Sequence, residues 1–139
     1  MPPDNAATVA VGAAVQFPEN GPSTGLITRR AGSLLTESTE FVLPNIGTYR
    51  VAFSVSVTEA GQLVLALDSG AGMVELPYTV YGRATGTSLI SSEALVKTTA
   101  ANSALELRNP AENTTALTIT PRAGGTRPAV ASLVIQQLG

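Results

Sequence analysis

Apolar and polar residues alternate with a period of two along most of the chain. The alternation is clearest over Thr48–Val57, where aromatic and β-branched residues alternate with small or polar ones. Successive side chains of a β-strand point to opposite faces, so this pattern predicts a half-buried strand. Its apolar face would carry Tyr49, Val51, Phe53, Val55 and Val57, and its other face Thr48, Arg50, Ala52, Ser54 and Ser56.

Other short segments rich in β-branched residues also predict strands, and none reads as a long amphipathic helix. Turn-forming sequences such as Asn45–Gly47 and Asp68–Gly70 separate them. Many short strands joined by turns favour a single all-β domain over 1–139, an antiparallel sandwich or jelly roll, with about residues 1–9 as a flexible lead-in. The further predicted strands are Thr8–Phe17, Thr24–Thr28, Thr39–Leu43, Gln62–Asp68, Met73–Thr79, Ser88–Lys97, Ala104–Asn109, Ala116–Thr120 and Val130–Leu138.

The last predicted strand is apolar on both faces over most of Ala129–Gln136. A strand of an antiparallel sheet with one solvated face should alternate, so this strand is expected to be covered on both sides. With no helix to cover it, a neighbouring subunit is the favoured cover, and the alternative is a central strand beneath a loop of the same chain. Small residues would allow close approach around a threefold axis, with Ala131 and Leu133 beside it. The candidate trimer-interface residues are Ala52, Ser54, Ala129, Ala131, Leu133 and Ile135.

The composition also favours an oligomer. Hydrophobic residues make up 44% of the chain and charged residues only 13%, against about a quarter charged in typical domains. A monomer with so few charges would have a surface prone to association. The net charge of −2 provides no basic field for nucleic acid and no polybasic membrane anchor, and no apolar run is long enough to span a membrane.

The absence of Cys and His from the sequence removes thiolate ligands and the commonest general base and metal ligand. Lys97 is the only lysine, and it is expected to be a solvated charge at a strand edge rather than a catalytic base. Asp68–Gly70 could begin a calcium loop, but calcium needs about 6–8 oxygen ligands, so a hairpin turn is favoured. We therefore expect no enzyme activity, no catalytic residues, no cofactor and no metal.

Arginines and tyrosines are the remaining binding candidates. The arginines could form an anion or glycan patch, although solubility of a weakly charged surface is the favoured interpretation. The tyrosines could stack on a sugar, although packing is favoured. These residues are Arg29, Arg30, Arg83, Arg122, Arg127, Tyr78 and Tyr81.

Several segments resemble a known family. Phe41–Val51 is similar to the entry into the central strand of complement-type and tumour-necrosis-factor-like domains. From about Ala10 to the C-terminus, the order and spacing of motifs resemble the C-terminal head of the exosporium collagen-like glycoprotein (BclA-like) family. The segments that carry this second resemblance are Val74–Pro77, Gly82–Ser88, Leu105–Pro110, Ala116–Ile119 and Ala131–Leu138.

The resemblance implies a trimeric jelly roll of the tumour-necrosis-factor/complement-like type on the outer surface of a bacterial spore, the exosporium. Such a head would follow a collagen-like stalk and register three chains, forming part of the surface. The sequence contains no Gly-X-Y repeat, so the collagen link depends on the resemblance alone. The alternative is a multivalent module that binds a glycan or host receptor on the same trimeric scaffold, which a pocket at the loops or between subunits would favour.

Overall fold

The computed structural model describes residues 8–84, 89–119 and 131–139. Within these ranges the chain is built mainly of short β-strands, with one α-helix of six residues and one 3₁₀ turn. The elements are β1 (Thr8–Val9), β2 (Thr28–Arg29), α1 (Leu34–Thr39), β3 (Phe41–Leu43), β4 (Thr48–Ser56), β5 (Gly61–Asp68), β6 (Met73–Glu75), the 3₁₀ turn (Pro77–Thr79), β7 (Tyr81–Arg83), β8 (Leu89–Lys97), β9 (Ser103–Arg108), β10 (Leu117–Thr118) and β11 (Ala131–Gln137).

The strands form two main antiparallel sheets around a shared core. The front sheet has the order β11-β4-β8, and the back sheet has the order β2-β3-β9-β5-β6, with β7 also paired to β5. A separate pair, β1 and β10, lies at the end of the sandwich where β4 leads into β5. Core residues come from both sheets, among them Val51 and Phe53 in front and Leu65 and Leu105 behind. The predicted all-β fold is therefore confirmed.

The central strand of the front sheet follows the predicted alternation as far as Val55, whereas Ser56, expected on the outer face, is buried. Tyr49, Val51, Phe53 and Val55 are each no more than 2% exposed, whereas Ala52 and Ser54 are only partly buried. The register pairs Phe53 with Leu133 of β11 on one side. The apolar row of β4 therefore faces the back sheet, and its small residues face outward.

Tyr49 also fixes the turn that precedes β4. Its buried hydroxyl donates a hydrogen bond to the backbone carbonyl of Asn45 at 2.7 Å and accepts one from the Asn45 N–H at 3.1 Å. In the same turn, a Cβ on Gly47 would collide with the carbonyl oxygen of Gly139. The Asn-Ile-Gly sequence thus allows the chain end to pack against the start of β4.

The back sheet is covered on both faces at its centre. In β5 every residue from Leu63 to Ala66 is 0% exposed, and in β9 the run from Ser103 to Leu107 is buried throughout. Since a strand with one solvated face would alternate, the unbroken apolar sequence Leu63–Leu67 reflects cover from both sides.

Helix α1 is the main element that sequence patterning missed. Ser33 caps its N-terminus by accepting a hydrogen bond from the Thr36 N–H at 3.1 Å, and the Thr36 hydroxyl bonds back to Ser33 as a capping box. The helix is too short to display an apolar stripe. Because it takes up Thr39, the strand predicted from Thr39 begins only at Phe41.

The predicted strand Thr8–Phe17 is interrupted by a turn. Gly12 has a φ of +75°, which favours glycine and ends the extended stretch after β1. Thr8 and Val9, expected at the end of a flexible lead-in, instead pair with β10, and Val9 is buried because its side chain joins the core. Residues 1–7 of that lead-in lie outside the described residues.

The segment predicted as Met73–Thr79 is also divided. Pro77 starts the 3₁₀ turn after the short strand β6, because proline lacks the N–H that a continuing strand would need. The chain then returns as β7, which was not predicted. A Cβ on Gly82 would collide with the Gly61 carbonyl oxygen, so glycine permits this close pairing with β5.

Phe53→Ala should lower the free energy of unfolding by about 3–5 kcal/mol, because it removes an almost fully buried aromatic side chain. Chemical denaturation followed by circular dichroism measures this change. Ile46→Ala, at a residue 62% exposed, is the control and should change stability by less than about 0.5 kcal/mol. An unchanged midpoint for Phe53→Ala would mean that the register of β4 is shifted by one residue.

Candidate interaction surfaces

The outer face of the front sheet is lined mainly by small side chains. The register aligns Ser132, Ser54 and Ser91 in one row across β11, β4 and β8. The adjacent row contains Val134 and Ala52. These short side chains leave a shallow depression of about 340 Å³. A surface of this kind lets another backbone approach closely.

Larger apolar side chains are exposed around this depression. Leu89, Leu95 and Val134 are 51%, 57% and 52% exposed. The charges Arg50 and Glu93 on the same face compensate each other through an ion pair of 2.6 Å. The outer face of the front sheet therefore combines exposed apolar side chains with one ion pair. It also carries the exposed Lys97 at the end of β8, which confirms the expected solvated charge on an edge strand.

The outer face of the back sheet is charged instead. One group joins Arg108 to Glu106 at 2.6 Å and to Glu75 at 3.4 Å. A second group joins Arg30 to Glu40 at 2.7 Å and to Asp68 at 3.1 Å. The four carboxylate side chains are at most 23% exposed. These groups lie on the outer side of the back sheet.

Two carboxylates of the back sheet have pKa values shifted in opposite directions. Burial raises the pKa of Glu106, with Glu40 and Glu75 adding to the shift and Arg108 opposing it. Asp68 shifts the other way, because hydrogen bonds from the N–H groups of Gly70 and Gly72, together with Arg30, lower its pKa despite some desolvation. Asp68 therefore stabilises the turn after β5 in its ionised form.

Among the residues that the structure describes, the flank of the sandwich beside β11 forms a groove. The groove, of about 970 Å³, lies between β11 and the chain segment that leads through β2 into β3. Its apolar lining includes Phe17, Ile27 and Phe41 on one side and Leu133 and Ile135 on the other. The rings of Phe17 and Phe41 meet edge to face with 6.2 Å between their centroids.

The polar rim of this groove is formed on the side of β2. The Arg29 guanidinium lies over the Phe41 ring, 5.1 Å from its centroid. Its Nε donates to the side-chain oxygen of Asn20 at 2.8 Å, and one terminal nitrogen donates to the Glu37 carbonyl at 2.7 Å. These contacts hold the Arg29 side chain in place on the β2 side of the groove.

The opposite flank, beside β8, exposes several large side chains. Tyr78, Val80 and Tyr81 are 65%, 39% and 50% exposed, and they lie where β7 and the 3₁₀ turn approach β8. The Tyr78 hydroxyl donates a hydrogen bond to the Leu95 carbonyl at 3.0 Å. This bond ties the flank to the edge of the front sheet.

The structure divides the predicted interface residues between two faces of the front sheet. Ala52 and Ser54 lie on the outer face, whereas Ala131, Leu133 and Ile135 lie on the inner face, partly buried against the core and along the groove. Ala129 lies outside the described residues. The partners of Ala52 and Ser54 on the outer face are Val134 and Ser132. Ser132 is one of the small residues expected to allow close approach, whereas Val134 was not predicted. Aligning Leu133 opposite Phe53 would have identified it.

The other candidates have structural contacts or lie outside the described ranges. Arg83 donates to the carbonyls of Val57 and Glu59, so it holds the loop between β4 and β5. Arg122 and Arg127 fall outside the described residues. Among residues 8–84, 89–119 and 131–139, no three or more Asp or Glu side chains are grouped to hold a metal ion. In the same ranges, no helix has the length and apolarity to cross a membrane.

Comparison with protein-family models gave no match, and no curated protein matches the chain. The resemblance to the exosporium collagen-like glycoproteins therefore stays a prediction from its motifs.

The substitution Asp68→Asn should make the free energy of unfolding less dependent on pH in the acidic range. The folded-state pKa of Asp68 lies below its usual value, so its ionised form stabilises the fold above about pH 4, the unfolded-state pKa. That contribution is lost as pH falls through the lower folded-state pKa. Denaturant midpoints should therefore show the variant less stable near about pH 6 and the difference shrinking toward about pH 2.

The exposed Glu112 provides the control for this comparison. Glu112→Gln should follow the wild-type protein over the whole pH range. A constant difference between wild type and Asp68→Asn at all pH values would contradict an ionised, stabilising Asp68.

Proposed function

We propose that this chain is a non-enzymatic structural head domain that assembles as a homotrimer, with the outer face of the front sheet turned toward the threefold axis. The contrast between the two outer faces carries the proposal. The front face exposes Leu89, Leu95 and Val134 among small residues, and within the described residues its only charges are one ion pair and Lys97. The back face carries two groups of ion-paired charges, and the outer side of its described strands exposes no comparable apolar residues. An apolar face opposite a charged one is typical of a surface that another chain covers.

The energetics favour covering this face. Complete burial of a Leu or Val side chain contributes about 1.5–3 kcal/mol, and these side chains are half exposed, so assembly would gain about half of that for each. Ala52 and Ser54 add little apolar area but permit close contact. A repeated gain across several subunit contacts can offset the entropy lost on association.

The strand order supports the jelly-roll type. The chain passes between the sheets from β3 to β4, back from β4 to β5, and again from β8 to β9. Repeated crossing of this kind between two antiparallel sheets is characteristic of jelly rolls. It agrees with the tumour-necrosis-factor/complement-like resemblance of Phe41–Val51.

A trimeric head of this type suits an extracellular collagen-like protein of the bacterial spore surface. Three collagen chains must meet in register before their triple helix can propagate. A head that holds three chains together raises their effective concentration to about the millimolar range. The resemblance to the exosporium glycoproteins supports this role, which requires a stable assembly and no cofactor.

A second candidate function is multivalent binding of a glycan or host receptor by the same trimer. The exposed rings of Tyr78 and Tyr81 favour it, since aromatic faces stack on sugars. This function predicts that Tyr81→Ala abolishes binding on a glycan array while the trimer persists. Absence of glycan binding by the wild-type protein would remove this candidate.

Sedimentation equilibrium at micromolar concentration should give about three times the chain mass of 14.2 kDa. The interface is expected to bury at least about 1,000 Å² per subunit. Val134→Glu should shift the protein to monomer, because it brings like charges together in a dry interface at a cost of several kcal/mol.

Val74→Glu is the matched control, since Val74 is 62% exposed on β6 of the back sheet and receives the same substitution. It should remain trimeric. A wild-type monomer would overturn the proposal, and a Val134→Glu trimer as stable as wild type would move the interface off the outer face.

A further inference from the structure

The two flanks of the sandwich present unlike surfaces. Beside β11 the sandwich opens into the groove of about 970 Å³. Beside β8, a ridge formed by Tyr78, Val80 and Tyr81 is exposed to solvent. In the described part of the chain the front sheet has the order β11-β4-β8, so the groove and the ridge lie at its two opposite edges.

A cyclic trimer needs such a pair of unlike surfaces. In a twofold dimer the same patch meets itself, whereas in a threefold ring each chain presents one surface to the preceding copy and a different one to the following copy. A ridge and a groove on opposite flanks of one chain meet this requirement.

We propose that the ridge of each copy occupies the groove of the next copy, and that this heterologous contact closes the ring. The inference rests on the trimer proposed above and assigns its contact surfaces. A second copy of this chain is thus the occupant of the groove, and the outer faces of the three front sheets turn toward the axis.

The chemistry of the two surfaces agrees with this contact. The groove exposes apolar lining from Phe41, Leu133 and Ile135, and the ridge supplies two tyrosines and a valine. A tyrosine buries about 150–250 Å² of surface when it is covered. The polar rim at Asn20 and the neighbouring Ser23 and Thr24 offers partners for the Tyr81 hydroxyl.

The edge of β11 gives an independent reason for cover on this flank. Among the described residues β11 pairs with β4 alone, and no described strand lies beside its other edge. Natural sheets protect an exposed edge with lysine, proline or inward-pointing charges. The sequence Ala131–Gln137 contains neither charge nor proline. A neighbouring copy seated in the groove would cover this edge.

The contact also brings the two sets of predicted interface residues into one assembly. Leu133 and Ile135 line the groove and would meet the ridge of the next copy. Ala52 and Ser54 lie on the outer face and would approach the axis. Residues on opposite faces of one sheet can thus both serve the trimer.

Disulfide cross-linking tests the contact directly, because the natural sequence contains no cysteine. Tyr81→Cys places a thiol on the ridge and Ile135→Cys places one in the groove. Under mild oxidation, the chain carrying both substitutions should form covalent trimers on a non-reducing gel. An equimolar mixture of the two single variants, refolded together, should stop at covalent dimers, and each single variant alone should form neither.

The control chain combines Tyr81→Cys with Val74→Cys, an exposed position on β6 outside the groove, and should not cross-link. Sedimentation of each variant under reducing conditions separates the two proposals. A protein that sediments as a trimer but does not cross-link between ridge and groove overturns this contact and leaves the trimer standing. A protein that sediments as a monomer overturns both, and cross-linking equal to that of the control chain also overturns the contact.

Discussion

The packing of β4 against the back sheet is the interaction on which the rest of the structure depends. The strand lies at the centre of the front sheet, with β11 and β8 on either side, and its inner row of Tyr49, Val51, Phe53 and Val55 enters the shared core. A shift of one residue would turn this row to the outside, so burial fixes the register of the whole sheet. Everything exposed on the outer face of β11 and β8 follows from that register.

The few charges of the chain are distributed unevenly over its surfaces. Arg30, Arg108 and their carboxylate partners lie over the back sheet, where ion pairs allow the carboxylates to be largely buried. The front face and the two flanks carry fewer charges, among them Arg50, Glu93 and Lys97, and more exposed apolar side chains. Burying unpaired charge would be costly, so an assembly through the front and the flanks leaves the charged side in solvent.

The alternation of apolar and polar residues predicted the strands correctly where it coincides with burial. It failed where a single residue ends a strand or starts a helix, and where a long-range contact determines which residues share a face. The alternation over Thr48–Val57 was confirmed because one face is in the core and one is not. Gly12 and Pro77 broke two predicted strands, and the capping of Ser33 produced a short helix with no periodic signal. The interface residues on β11 were assigned without knowledge of their cross-strand partners, so the two faces were mixed.

The sequence by itself determined the all-β class, the core row of β4 and the shortage of surface charge, because alternation and composition are local properties of the chain. Only the tertiary structure decided that Val134 shares a face with Ala52, that Leu133 lines a groove, and that Tyr78 and Tyr81 form a ridge on the opposite flank. Pairing partners and the shape of a flank arise from segments distant in sequence, such as β11 with β4 and β7 with β5. No local pattern records which of these segments become neighbours.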